Sequence, residues 1–176
     1  LTKISLHSFI STIGCSSFED CISLTQMQIP SSVKSIENNT FHHCINLTKV
    51  VIPSSVITIG DNAFDGCQKL EKLTIPSSVK SIGKCSFSEC ISLVEILIPS
   101  SVNYIGEKAF YSCSSLMKIV IEASISTIDK KTFSQCNSLS QVIFPPTLIS
   151  ISDYAFENCY SLERLNFPHS LKSISR

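Results

Sequence analysis

Apolar residues recur along this chain with short rhythms nested inside one long period. In the run Leu70-Glu71-Lys72-Leu73-Thr74-Ile75 the last two apolar residues flank a single polar one, the alternation that a strand with one buried face requires. Pro76 follows; it lacks a backbone donor and fixes φ, so it predicts a corner where the strand stops. The next piece, Ser78-Val79-Lys80-Ser81-Ile82, again points two apolar residues inward and predicts a second short extended segment. The residues leading to the next cysteine, of the form Ala-Phe-x-x-Cys, predict a turn or a single 3₁₀ turn.

This block repeats at a fixed step. Cys21, Cys44, Cys67, Cys90, Cys113, Cys136 and Cys159 are each 23 residues apart, and Phe18, Phe41, Phe64, Phe87, Phe110, Phe133 and Phe156 keep the same step. So do the leucines from Leu24 to Leu162, with Leu1 extending their series backwards, and the isoleucines from Ile13 to Ile174. No insertion breaks the register. A unit this short cannot bury its own apolar side chains, whereas stacked units place equivalent residues above one another and form a continuous core. The expected fold is therefore a mainly β repeat solenoid of 23-residue coils, with a parallel sheet on one face, short extended or 3₁₀ segments on the other, and little α-helix. Residues 1–176 read as one solenoid domain of about seven and a half repeats. Eight strands at about 4.7–4.9 Å would make a sheet about 35 Å long. The prolines Pro30, Pro53, Pro76, Pro99, Pro145 and Pro168 mark one corner column, with Glu122 as its exception.

The unit CxxLxxLxIPxSVxxIGxxAFxx resembles a leucine-rich repeat, and Ile75-Pro76-Ser77-Ser78-Val79-Lys80-Ser81-Ile82-Gly83 is similar almost letter for letter to the BspA-like (TpLRR) class. The resemblance covers all 176 residues. Departures are confined to single columns: Glu122 for proline, Phe144 and Phe167 for isoleucine, and Glu37, Asp129, Ser152 and Ser175 for glycine. It implies a right-handed leucine-rich-repeat solenoid. It also implies a non-enzymatic surface or secreted protein of bacteria or parasitic protists, used in adhesion to host matrix proteins or in contact between cells.

Composition narrows the partner classes. Fourteen basic and fourteen acidic residues give zero formal charge, so no global field draws the chain to nucleic acid or an anionic membrane. The longest apolar stretches are a few residues, too short for a transmembrane helix. The chain opens at Leu1 without a charged and apolar leader, from which we expect a removed signal segment or a piece of a longer chain.

Nine cysteines in 176 residues would ordinarily raise a disulfide framework. Seven of them share one column beside the leucine and phenylalanine columns, so they read as buried free thiols packing as small hydrophobes. Cys15 and Cys85 fall off the column, at positions expected to be exposed and open to oxidation. His42, His43 and Cys44 are the nearest approach to a zinc ligand set, but Cys44 belongs to the core column. His7 and His169 lie at distant corners, and four of the five glycines occupy one column after isoleucine rather than a phosphate loop. No cofactor, metal or catalytic constellation emerges. Asn38-Asn39-Thr40 and Asn46-Leu47-Thr48 fit the N-glycosylation pattern.

The outward columns of the LxxLxI strand are the candidate binding surface. The first runs Lys3, Gln26, Lys49, Lys72, Glu95, Lys118, Gln141, Arg164, and the second Ser5, Gln28, Val51, Thr74, Leu97, Val120, Ile143, Asn166. Leu97, Val120 and Ile143 are consecutive in the second column, and Val94 and Met117 flank them. An apolar cluster on a water-facing strand, edged by Lys49, Lys72 and Lys118, points to a protein partner with an acidic rim. The competing explanation is that β-branched residues favour strands whichever way they face. The expectation is a protein-binding, adhesin-like module at the cell surface or outside the cell. The alternatives are a cytoplasmic interaction scaffold and a repeat that self-assembles into a homo-oligomer through uncapped ends.

Overall fold

The computed structural model describes residues 2–176, so the expectation for Leu1 lies outside the described residues. The strands in chain order are β1 (Lys3–Ile4), β2 (Gln26–Gln28), β3 (Ser35–Ile36), β4 (Lys49–Val51), β5 (Thr58–Ile59), β6 (Ser81–Ile82) and β7 (Glu95–Ile98). They continue as β8 (Tyr104–Ile105), β9 (Lys118–Ile121), β10 (Thr127–Ile128), β11 (Gln141–Ile143), β12 (Ser150–Ile151) and β13 (Ser173–Ile174). The described residues form a solenoid of parallel strands with no helix. Every strand pairs with the residue one repeat away, as in Gln26↔Lys49 and Leu97↔Val120.

One face carries the ladders β1-β2-β4 and β7-β9-β11; the other carries β3-β5-β6-β8 and β10-β12-β13. The single continuous sheet expected on the first face is thus divided. At Lys72–Thr74 the inward and outward alternation persists, with Leu73 buried and Thr74 exposed, but the ladder is not formed. The second face parts between β8 and β10, in the coil where Glu122 replaces proline. Glu122 donates its N–H to the carbonyl of Ile98 at 2.9 Å, a bond no proline can make. β7 and β9 accordingly pair over four residues, through Ile98↔Ile121. The corner beyond is displaced: Ala123 turns into the core where Ser31, Ser54, Ser77 and Ser100 of the other coils face solvent.

The interior is a set of columns. Consecutive phenylalanines from Phe18 to Phe156 stack nearly parallel, with ring centroids 5.3–5.6 Å apart, within the range of favourable offset stacking. Phe144 lies edge-on to Phe156 at 6.0 Å and stacks on Phe167 at 5.5 Å, so the larger residues in the isoleucine column extend the aromatic packing. Behind the stack, the thiols of Cys44, Cys67, Cys90, Cys113, Cys136 and Cys159 each donate to the carbonyl of a phenylalanine in the preceding coil, at 3.0–3.3 Å. The corner hydroxyls are equally committed: Ser55, Ser78, Ser101, Thr147 and Ser170 donate to carbonyls of the coil before at 2.6–2.8 Å. A serine or threonine at this corner satisfies a backbone acceptor that would otherwise be left without a donor.

The piece around phenylalanine is a pair of tight turns, and each coil places two residues there at positive φ. Asn39 and His43, or Lys108 and Ser112, adopt φ between 55° and 58°. Such values are costly for side-chain-bearing residues, and bonds between coils hold them, as in Asn39 N–H to Asp61 O at 2.9 Å and His43 N–H to Asp65 O at 2.8 Å. The glycine column answers a different demand. A Cβ on Gly83 would stand 2.5 Å from the carbonyl carbon of Gly60, and one on Gly106 would stand 2.6 Å from the nitrogen of Lys84. At Gly14 the same atom would meet only Ser17 Oγ, at 3.6 Å. Gly83→Ala should therefore lower unfolding stability by about 1–3 kcal/mol, whereas Gly14→Ala should leave it nearly unchanged. Chemical denaturation of the two variants measures the contrast, and equal stability would refute the close-approach explanation.

Candidate protein-binding face

Of the residues singled out for binding, Leu97, Lys118, Val120 and Ile143 lie on β7, β9 and β11, Val94 and Met117 directly precede β7 and β9, Lys49 opens β4, and Lys72 lies in the coil that forms no ladder. Each strand buries alternate side chains, so Ile96, Ile119 and Val142 point inward while Leu97, Val120 and Ile143 point out. Leu97, Val120 and Ile143 are direct register partners on neighbouring coils. Leu97 keeps 45% and Ile143 43% of its surface exposed, and Val120 is half-buried between them. Met117 at 53% and Val94 at 36% are exposed immediately before β9 and β7, where the Met117 N–H donates to the Val94 carbonyl of the coil before at 2.8 Å. Ile91 is a further exposed apolar residue, in the turn three residues before Val94. Its column is a turn column rather than a strand column, so the strand alternation carried no signal for it.

The lysine edge is less uniform. Lys72, Leu97, Lys118 and Val120 surround one shallow depression of about 440 Å³ that is also lined by Glu95. Lys49 is not part of it; this residue lines the neighbouring depressions beside Val51. Between Lys72 and Lys118 the column reads Glu95, so the basic stripe is interrupted by an acid at the apolar cluster itself. Two depressions flank Lys72, Leu73 and Thr74, the coil whose strand leaves the ladder.

The histidines form a different arrangement from a zinc site. His42 Nδ1 stands 2.9 Å from Glu19 Oε1 and Nε2 stands 3.4 Å from Asp65 Oδ2, bridging three coils. His43 lies 3.4 Å from Asp20 and stacks on the ring of His42. Cys44 turns the other way, its thiol donating to the Phe18 carbonyl. Among the described residues no three such side chains are grouped to hold a metal ion. Hydrogen bonds from Ser16 and then His42 hold the Glu19 carboxyl below its ordinary range. In the glycosylation patterns, Asn38 Oδ1 accepts the Asp61 N–H at 2.8 Å, Thr40 is buried, and Asn46 donates to the Ile22 carbonyl at 2.7 Å. His7 and His169 are exposed at separate corners.

The cysteine column is buried from Cys44 through Cys136, with Cys21 and Cys159 half-buried at its ends. Burial disfavours the thiolate. It pushes the Cys44 thiol up to about 12 and Cys159 up to about 11. Burial first and neighbouring thiols second hold Cys67, Cys90, Cys113 and Cys136 well above the ordinary thiol range. Of the two off-column cysteines, Cys15 is exposed as expected, but Cys85 is half-buried. The following coil covers it, with the Cys85 N–H donating to Glu107 O at 3.0 Å; burial first, and then the charge of Asp65, raise its thiol.

The whole length of the chain matches the BspA type leucine rich repeat region, in six copies over residues 1–77 and 57–176. The chain belongs to this family of BspA-type leucine-rich repeats. Leucine-rich repeats are typically non-catalytic protein-interaction modules. Among solved structures, a leucine-rich repeat protein from Bacteroides ovatus is 36% identical, with a TM-score of 0.88; the match covers 93% of this chain and 43% of that one. The Treponema pallidum leucine-rich repeat protein TpLRR is 29% identical with a TM-score of 0.78, over 85% of this chain and 70% of that one. A leucine-rich cell surface protein from Faecalibacterium prausnitzii shares the fold at 22% identity and a TM-score of 0.53, over 92% of this chain and 62% of that one. The chain thus spans less than half the length of the Bacteroides protein. No curated protein matches it.

The thiol environments set an order of reactivity. Alkylation of the native protein at pH 8, read by peptide mass spectrometry, should modify Cys15 first, Cys85 more slowly, and Cys67, Cys90, Cys113 and Cys136 only after unfolding. Equal modification of column and off-column cysteines in the native protein would contradict the buried ladder.

Proposed function

We propose that this repeat module binds a protein through its strand-bearing face, and that it works at the cell surface or as a secreted, adhesin-like protein that contacts host matrix or other cell-surface proteins. The observation that carries the reading is the apolar cluster of Leu97, Val120 and Ile143 on three consecutive coils, with Val94 and Met117 beside it. Solvent-facing strand positions without a partner favour threonine, glutamine or lysine, and contiguous exposed apolar surface of this kind marks contact sites. The depression lined by Lys72, Glu95 and Lys118 supplies charges that orient a partner and set its approach more than they add affinity. The cell-surface placement is supported by family membership and by the surface protein of Faecalibacterium prausnitzii that shares the fold.

The double variant Leu97→Asp, Val120→Asp tests the reading. Leu97 is exposed and Val120 is half-buried on the outer side of the sheet, so neither change reaches the core and circular dichroism should match that of the parent protein. Binding to a panel of matrix proteins, fibronectin and fibrinogen included, should be saturable. It should weaken in the variant by roughly 30-fold or more, the effect of disrupting a central apolar contact worth about 2 kcal/mol. Equal binding by both proteins would place the contact elsewhere, and absence of binding across the panel would overturn the adhesive role.

A further inference from the structure

Rungs set one coil apart accept some partner backbones and reject others. Leu97, Val120 and Ile143 are in register on β7, β9 and β11, so they step along the solenoid axis at about 4.8 Å, to about 0, 4.8 and 9.6 Å. An α-helix laid along that axis presents side chains at i, i+3 and i+7 at about 0, 4.5 and 10.5 Å. Each falls within about 1 Å of a rung. An extended segment in the same direction presents same-face side chains every 6.7 Å or about that, so its third lands about 4 Å beyond the third rung. An extended segment laid across the coils instead would meet only the short width of one strand, three or four residues.

The charged column beside the rungs repeats at the same step. Lys72, Glu95 and Lys118 follow one another on consecutive coils and line the same depression as Leu97 and Val120. The ion pairs among the described residues engage other side chains, so these three charges are free to meet a partner's. A helix about 10 Å across covers both columns at once. Glu95 and Lys118 lie beside Leu97 and Val120, and Lys72 lies one coil before Leu97, so a helix that runs one coil past the first rung would meet basic, acidic and basic groups in succession along its flank.

Resting on the proposed function, we infer that the occupant of this face is an amphipathic α-helix of a protein partner. It lies along the solenoid axis with apolar residues at i, i+3 and i+7 and an acidic, basic, acidic sequence along one flank. Helix binding in a groove uses this kind of anchor spacing. The partner's specificity then comes from the order of charges along its flank rather than from net charge.

Two display libraries of equal composition test the inference against the intact 176-residue chain: one on a rigid helical scaffold, one on an extended β scaffold. Selected binders are counter-screened on Leu97→Asp, Val120→Asp and, separately, on Lys72→Glu, Lys118→Glu, which changes only exposed or half-buried surface charge and guards against misfolding of the first variant. The expected result is binders from the helical library that lose at least tenfold in affinity on both variants. Variant-sensitive binders from the extended library, alone or in equal number, would overturn the helix and leave the protein-binding face standing. Failure of both libraries to yield variant-sensitive binders would overturn the face as well.

Discussion

The carbonyl of each central phenylalanine receives two donors at once. Phe41 O accepts the backbone N–H of Cys44 in its own coil, at 3.1 Å, and the thiol of Cys67 in the next, at 3.2 Å. The first bond closes the turn; the second fixes how far the next coil is displaced and which residue lies over which. The same pair of bonds recurs at Phe64, Phe87, Phe110 and Phe133. An extra residue anywhere in a coil would move the next thiol away from its acceptor and the next ring off the stack, which accounts for a repeat without insertions. Serine would make a stronger hydrogen bond, but it would have to be buried among leucine and phenylalanine rings, where a hydroxyl costs more to desolvate than a thiol.

With the turn side fixed in this way, the strand side inherits its register and needs few backbone ladder bonds of its own. Ladders of two to four residues suffice because the core columns already align the coils, and the ladder can lapse at Lys72–Thr74 while Leu73 stays buried. The exposed columns of β7, β9 and β11 are thereby held at a spacing they do not themselves determine. Such a scaffold lets outward residues vary without cost to the fold. Leu97, Val120 and Ile143 stand where Gln28 and Thr74 stand in other coils, and the difference between coils lies in contact chemistry alone.

Much of this architecture was legible in the sequence because a solenoid converts period into position. The inward columns of Leu, Ile, Phe and Cys, the proline corner and the placing of four glycines in one column followed from the 23-residue step and the residue types. Interactions between unlike columns did not follow. The thiol of Cys67 and the carbonyl of Phe41 are 26 residues apart, and Ser55 and the carbonyl of Val33 are 22, so neither offset matches the repeat that organises the pattern. The serines of the corner thus join coils through an offset that the repeat itself does not display. The interruption of the first sheet and the partial burial of Cys85 depend on how neighbouring coils settle on one another, which residue type alone does not specify. On the candidate face, the apolar rungs were readable from strand alternation. The separation of Lys49 from Lys72 and Lys118 required the depressions themselves.

The infrared S–H stretching band of the native protein, with Cys15 blocked, tests the thiol ladder most directly. A thiol that donates to a carbonyl absorbs at lower frequency than one in an apolar cavity. The native band should be displaced to lower frequency and return to the free-thiol position on unfolding in denaturant. A native band already at the free-thiol position would mean that the cysteines only fill space, and that the register of the coils is set by the aromatic stack and the strands instead.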